Sequence, residues 1–182
     1  MEPKTIGVDV KQLEIRRHTD NDEDVLSPDG VAAAVELGRG STANWALVVS
    51  SGAQRATQTA ACILAGAGSE VPNGVVVVPG IRSDVEDQWR DAYSQVGSGH
   101  LDDLREADPE LVDQQTKVLA DALREVLDRL DEGERALVVG HSPTNEAAVL
   151  GLTGETIEPL GKGEGALVTI DGESVQVERL NA

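Results

Sequence analysis

The strongest constraint on this chain is a set of short β-branched runs separated by helical patterns. In KQLEIRRH (11–18) apolar Leu13 and Ile15 alternate with polar neighbours, while WALVVSS (45–51), GVVVVPG (74–80) and RALVVGH (135–141) are apolar runs bounded by turn residues. These four read as strands. Between them, SPDGVAAAVELGRG (27–40) offers Ser27 as N-cap, Pro28 at the first helical position and Gly40 near the end, so it reads as a helix. DPELVDQQTKVLADALREVLDRLDEG (108–133) repeats the Asp-Pro start, places Leu111, Val118, Ala122, Val126 and Leu130 on one face, and runs to Gly133. EGALVTIDGESVQVERL (164–180) reads as two alternating strands joined at Asp171 and Gly172.

Strands separated by helices require crossover connections, hence a largely parallel sheet covered on both faces. The expectation is a three-layer α/β/α sandwich with a mainly parallel central sheet and a C-terminal β-hairpin. One domain over residues 1–182, with residues 1–10 as an N-terminal extension, suits the length of 182 residues. Aromatic residues make up 2% of the chain and Phe is absent, so the core is left to Val, Leu, Ile and Ala, and no aromatic stripe marks an oligomer interface.

A net charge of -18 opposes binding to nucleic acid, whose phosphates are held by clustered Lys and Arg. No apolar run reaches signal-peptide or membrane-span length, so a cytoplasmic protein without membrane contact is expected. The single cysteine, Cys62, lies among apolar helix formers and reads as a buried, inert thiol. The acidic run DNDEDVLSPDGV mimics the Asp spacing of a calcium loop, but Val25 and Val31 occupy the positions that need Gly and the bidentate Glu. No metal or cofactor is expected.

In open α/β sheets ligands collect beyond the carboxyl ends of the strands. Arg17 and His18 end the first strand, Ser50 and Ser51 end the second just before Arg55, and His141 ends the fourth. Ser142 and Pro143 read as a cap and first helical residue, which would aim backbone amides into the same space. Two arginines and two histidines converging there suit a phosphate dianion: guanidinium donors match its oxygens, and a neutral imidazole can attack phosphorus.

EIRRHT, SSGAQRATQTA and VVGHSP, in this order, resemble the three motifs of the histidine phosphatase superfamily, the phosphoglycerate mutase-like family, over about residues 11–180. The resemblance implies that His18 is the nucleophile that becomes phosphorylated, with Arg17, Arg55 and His141 holding the phosphoryl oxygens. Thr19 stands where the family most often has Gly, so it either narrows the pocket or adds a hydroxyl donor, and Ser142 joins it as a candidate phosphate ligand. The family's general acid comes from the region between the second and fourth strands, where RSDVEDQWRDAY offers Asp84, Glu86 and Asp87. Glu86 is preferred for its longer reach.

The reading is a metal-independent phosphomonoesterase acting on a small phosphorylated substrate. Its rivals are a phosphoglycerate-mutase-type transferase, a protein phosphohistidine phosphatase and a non-catalytic phosphate-binding or scaffolding protein. By alternation Arg16 points away from Arg17 and reads as solvated; His100 reads as an exposed loop residue. Trp45 reads as packing, and Trp89, beside the carboxylates, as packing or pocket lining. The segments 19–26 and 80–107 carry no usable periodicity.

Overall fold

The computed structural model describes residues 10–182; residues 1–9, nearly all of the expected N-terminal extension, lie outside the described residues. The chain runs β1 (Val10–Arg17), β2 (Asn21–Asp22), β3 (Val25–Leu26), α1 (Pro28–Gly40), β4 (Leu47–Ser50), α2 (Gln54–Ala67) and β5 (Val75–Val77). A short 3-10 turn (Pro79–Ile81) precedes α3 (Glu86–Val96), α4 (Leu101–Ala107), α5 (Pro109–Asp128), β6 (Arg135–Gly140), α6 (Thr144–Thr153), β7 (Gly165–Asp171) and β8 (Ser174–Leu180). Six strands form one sheet in the order β5-β4-β6-β1-β7-β8. The first four are mutually parallel, and the β7-β8 hairpin adds to β1 antiparallel, as expected.

Alternation along the strands divides the core into two layers. Leu13, Ile15, Leu47, Val49, Ala136 and Val138 pack on the side of α3, α4, α5 and α6. Val48, Leu137 and Val139 face the other way, onto Ala34 of α1 and Ala56, Ala60 and Ile63 of α2. Each fully buried aliphatic side chain stabilises the fold by about 1.5–3 kcal/mol, so both layers are needed in a chain without Phe. Small residues close the α1–α2 contact: a Cβ on Gly38 would overlap the carbonyl of Ile63, and one on Gly66 the carbonyl of Val35.

The caps behave as their chemistry dictates. Ser27 Oγ accepts from Gly30 N at 3.0 Å, and Asp108 Oδ1 accepts from Leu111 N at 3.0 Å, each opening a helix with Pro in its first turn. On α5, Leu111, Ala122 and Val126 are buried as expected, as is Leu130 just beyond it, but Val118 is 50% exposed, and Gln115, Leu119 and Leu123 complete the buried stripe instead. The helix also stops at Asp128 instead of continuing to Gly133, which lies in the following turn with φ 83°.

Arg16 does project opposite to Arg17, but it is not solvated. Its Nε contacts Glu14 Oε1 at 2.6 Å, and Glu14, 3% exposed, also accepts from Arg135 Nη2 at 2.7 Å and Trp45 Nε1 at 2.9 Å. Glu14 lies on the same face of β1 as Arg16, opposite to Leu13 and Ile15. Two arginines and an indole supply there the donors that water would give a carboxylate. Cys62 is half-buried, and burial raises its thiol pKa, which keeps it unreactive.

Candidate active site

Register assembles the site. In the parallel pairing Arg17 lies opposite Gly140 and Ser50 opposite Val139, so the next residues, His18, His141 and Ser51, leave the sheet side by side. The exits are laced together by His18 N donating to Gly140 O at 3.1 Å and Ser51 N to Val139 O at 3.1 Å. The two imidazole centroids are 5.3 Å apart. Arg55, in the first turn of α2, reaches both rings: its Nε is 3.3 Å from His18 Nε2 and its Nη2 is 3.3 Å from His141 Nδ1.

These contacts define the tautomers. His18 Nδ1 donates to the Thr19 carbonyl at 2.8 Å, which leaves the lone pair on Nε2, facing Arg55. His141 accepts from Arg55 at Nδ1 and donates from Nε2 to Ser51 Oγ at 2.7 Å. A hydroxyl both donates and accepts, so Ser51 supports either tautomer of His141, including one that presents Nδ1–H to an anion. Burial lowers the pKa of His18 to about 3, against the Thr19 bond and with help from Lys162, His141 and Arg55. Burial and the Arg55 charge lower that of His141 to about 4. Both rings are neutral near pH 7.

Arg17 is fixed from behind. Its Nη1 donates to Leu160 O at 2.7 Å, and the Leu160 amide donates to Glu146 Oε1 at 2.7 Å. Glu146, wholly buried on α6, also accepts from Ser142 Oγ at 2.5 Å, and burial raises its pKa. Arg55 is braced by Asp24, whose Oδ1 lies 2.7 Å from Nη1. The acidic run 20–24 thus supplies a counter-ion for Arg55, and among the described residues no cluster of His, Cys, Asp or Glu could hold a metal.

The remaining candidates divide. Glu86 joins Arg55, Ser83, Trp89, His141 and Pro143 around a side pocket of about 280 Å³. Arg82 grips it, Nε to Oε1 at 2.5 Å and Nη2 to Oε2 at 3.2 Å, and this pairing lowers the Glu86 pKa. Asp84 and Asp87 are exposed outside that pocket, and Asp87 pairs with Arg90 at 3.0 Å. Thr19 is buried, but its hydroxyl donates to Gly30 O at 2.8 Å and contacts Thr59 Oγ1, on the α1 side of the strand exit. The helix after His141 begins at Thr144, with Pro143 as its N-cap residue, so Ser142 is not its cap and its hydroxyl goes to Glu146. His100 is half exposed at the start of α4.

Three side chains at the site escape a motif reading. Arg82 has a local signal, standing four residues before Glu86, the spacing of a helical ion pair. Glu146 follows His141 on a helix, but nothing local marks it as the acceptor for Ser142 and the Leu160 amide. Lys162 lies far along the chain, flanked by glycines, and only folding brings it to Asn21 and the exit of β1.

The chain belongs to the histidine phosphatase superfamily (branch 1), whose family model matches residues 9–181. Members are typically phosphatases or mutases, and the membership implies phosphorylated small-molecule substrates. Among solved structures, a phosphoglycerate mutase from Bacillus anthracis str. Sterne is 18% identical with a TM-score of 0.67, the match covering 96% of this chain and 94% of that one. A phosphoserine phosphatase from Entamoeba histolytica, in complex with 3-phosphoglyceric acid, is 17% identical with a TM-score of 0.67, covering 94% and 98%. The protein histidine phosphatase SixA, complexed with tungstate, is 19% identical with a TM-score of 0.59, covering 93% and 96%. At such identities the likeness establishes the shared fold. No curated protein matches the chain.

Proposed function

We propose that the protein is a metal-independent phosphomonoester hydrolase that works through a phosphohistidine on His18. The observation that carries this reading is the 2.8 Å bond from His18 Nδ1 to the Thr19 carbonyl, which leaves Nε2 unprotonated beside Arg55. Nε2 attacks phosphorus in line, the N–P bond forms and the ester P–O bond breaks. The Thr19 carbonyl steadies the positive charge that develops on the ring. Arg17, Arg55 and His141 carry the equatorial oxygens, a preorganised donor set of the kind that lowers barriers most. The fraction of Glu86 that carries a proton, kept small by Arg82, delivers it to the departing oxygen; the carboxylate so formed then takes a proton from the water that cleaves the N–P bond and frees His18.

Hydrolysis is favoured over mutase chemistry because Glu86, which lines the side pocket with Arg55 and His141, is 39% exposed, so the pocket is open to water. A second reading, phosphohistidine hydrolysis on a protein, draws support from the Arg82–Glu86 pair. A carboxyl held ionised is a poor acid for an alkoxide but suffices for a leaving group that departs readily.

Rapid acid and alkaline quenching of enzyme mixed with an aryl phosphate tests the proposal. The expected adduct is lost in acid, kept in alkali, absent in His18→Ala and present at a reduced level in His141→Ala. Turnover at the wild-type rate by His18→Ala would remove the nucleophile assignment. An intact wild-type protein that binds phosphate without turnover would instead favour the non-catalytic phosphate-binding or scaffolding alternative.

A further inference from the structure

We propose that Lys162 is a third cationic ligand of the transferred phosphoryl group, set beside His18 by the turn before β7. This inference rests on the phosphohydrolase reading and adds a residue to its site. The turn is bonded to the exit of β1: Gly163 N donates to Arg17 O at 3.2 Å and to His18 O at 3.3 Å, while Arg17 Nη1 is bound to Leu160 O at 2.7 Å. Lys162 is therefore the side chain between two residues already tied to the phosphate-binding strand end. Its Nζ contacts Asn21 Oδ1 on the β2–β3 hairpin, so the ammonium bridges two loops that flank His18.

Charge supports the same placement. In a chain of net charge -18, neither Lys162 nor Arg17 forms an ion pair with a carboxylate among the described residues, whereas Arg55 has Asp24. The ammonium is partly desolvated; burial first, and then Arg17, lower its pKa. Of the charges acting on His18, that of Lys162 depresses the ring most. Arg17 and Lys162, neither in an ion pair among the described residues, stand with Arg55 around a neutral nucleophile and make a site that a dianion completes. An ammonium with three donors accommodates a phosphoryl group as it moves from ester oxygen to His18 Nε2, because it acts as a point charge and not as a fixed fork.

A ligand of the phosphoryl group acts on every phosphate species, whatever the leaving group; a ligand of the leaving group does not. The experiment measures inhibition of aryl phosphate hydrolysis by inorganic phosphate and by orthovanadate in wild type, Lys162→Met and Lys162→Arg, with thermal unfolding as a check on folding. Lys162→Met should weaken both inhibitors by about tenfold to a hundredfold, the range of a charge-assisted hydrogen bond, and Lys162→Arg should recover most of the loss.

Unchanged inhibition in folded Lys162→Met would overturn the proposal. So would a loss confined to substrates that carry a carboxylate on the leaving group. If Lys162→Met does not fold, 15N NMR of the wild-type Nζ decides: a shift on phosphate addition supports the contact, and none overturns it. Failure of the underlying reading looks different, since wild type would then lack turnover or a phosphoenzyme, while phosphate titration would still judge Lys162.

Discussion

Arg55 Nε sits 3.3 Å from His18 Nε2, the nitrogen that must attack phosphorus, and the same guanidinium reaches His141 Nδ1 at 3.3 Å through Nη2. One planar group therefore holds both lone pairs before substrate arrives and can turn its donors onto phosphoryl oxygens when it does. Arg55→Ala should lower kcat/KM by the amount typical of a lost preorganised donor, about 2.7–4 kcal/mol. Arg55→Lys should recover little, because a single ammonium cannot span two rings. Steady-state kinetics on an aryl phosphate measures both, and full recovery by lysine would show that charge alone suffices.

Glu86 should reveal itself through the leaving group. Glu86→Gln is expected to slow alkyl phosphate hydrolysis by about 100-fold or more while changing activated aryl phosphates little. Arg82→Ala, which removes the bidentate grip that lowers the Glu86 pKa, should shift the decline of alkyl phosphate hydrolysis to higher pH. Equal losses on both substrate types in Glu86→Gln would reject the assignment.

The buried histidines set a pH dependence of stability. His18 and His141 have folded pKa values of about 3 and about 4, below the unfolded value of about 6.5, so the unfolded chain binds more protons between these limits. Stability supplied by the two neutral rings is complete above about pH 6.5 and is lost as pH falls toward 4 and then 3. Chemical denaturation at pH 7 and pH 5 should show lower stability at pH 5, and His18→Ala should reduce that difference. Imidazole NMR signals of both residues in the native protein should stay unchanged from pH 8 to pH 5; movement near 6.5 would contradict the burial argument.

Glu14 lies away from the chemistry but binds Arg16, Arg135 and Trp45 across β1, β6 and the segment before β4. Glu14→Ala would leave two partly buried guanidinium groups and an indole N–H without their acceptor, at a cost of about 3 kcal/mol. Urea unfolding should report that loss, with kcat on an aryl phosphate altered far less than stability. A variant as stable as wild type would mean that water replaces the carboxylate.

Much of this architecture is written locally. Alternation marked β1 and the hairpin strands, β-branched runs bounded by turn residues marked β4, β5 and β6, Ser27 and Asp108 marked two helix starts, and Asp171 and Gly172 marked the hairpin turn, because those signals act within a few residues. The order of the three motifs likewise pointed to one phosphate site at the strand exits. The segment 80–107 was illegible because α3 and α4 are short and α3 buries only Trp89 and Ala92, too few positions to establish a period.

What the sequence determined alone is the set of elements and the types of groups delivered to the carboxyl edge of the sheet. Tertiary structure decided which groups meet. Strand register put His18 beside His141 and Ser51. Sheet order put β1 between β6 and β7, which brought Glu164 and Lys162 to Arg17 and His18 from more than 140 residues away. The meeting of Arg135 and Trp45 with Glu14 buried its carboxylate and turned Arg16 from an expected surface residue into its partner. Local propensity depends on neighbours in the chain, whereas tautomer, desolvation and charge balance depend on neighbours in space, and only the packed sheet supplies those.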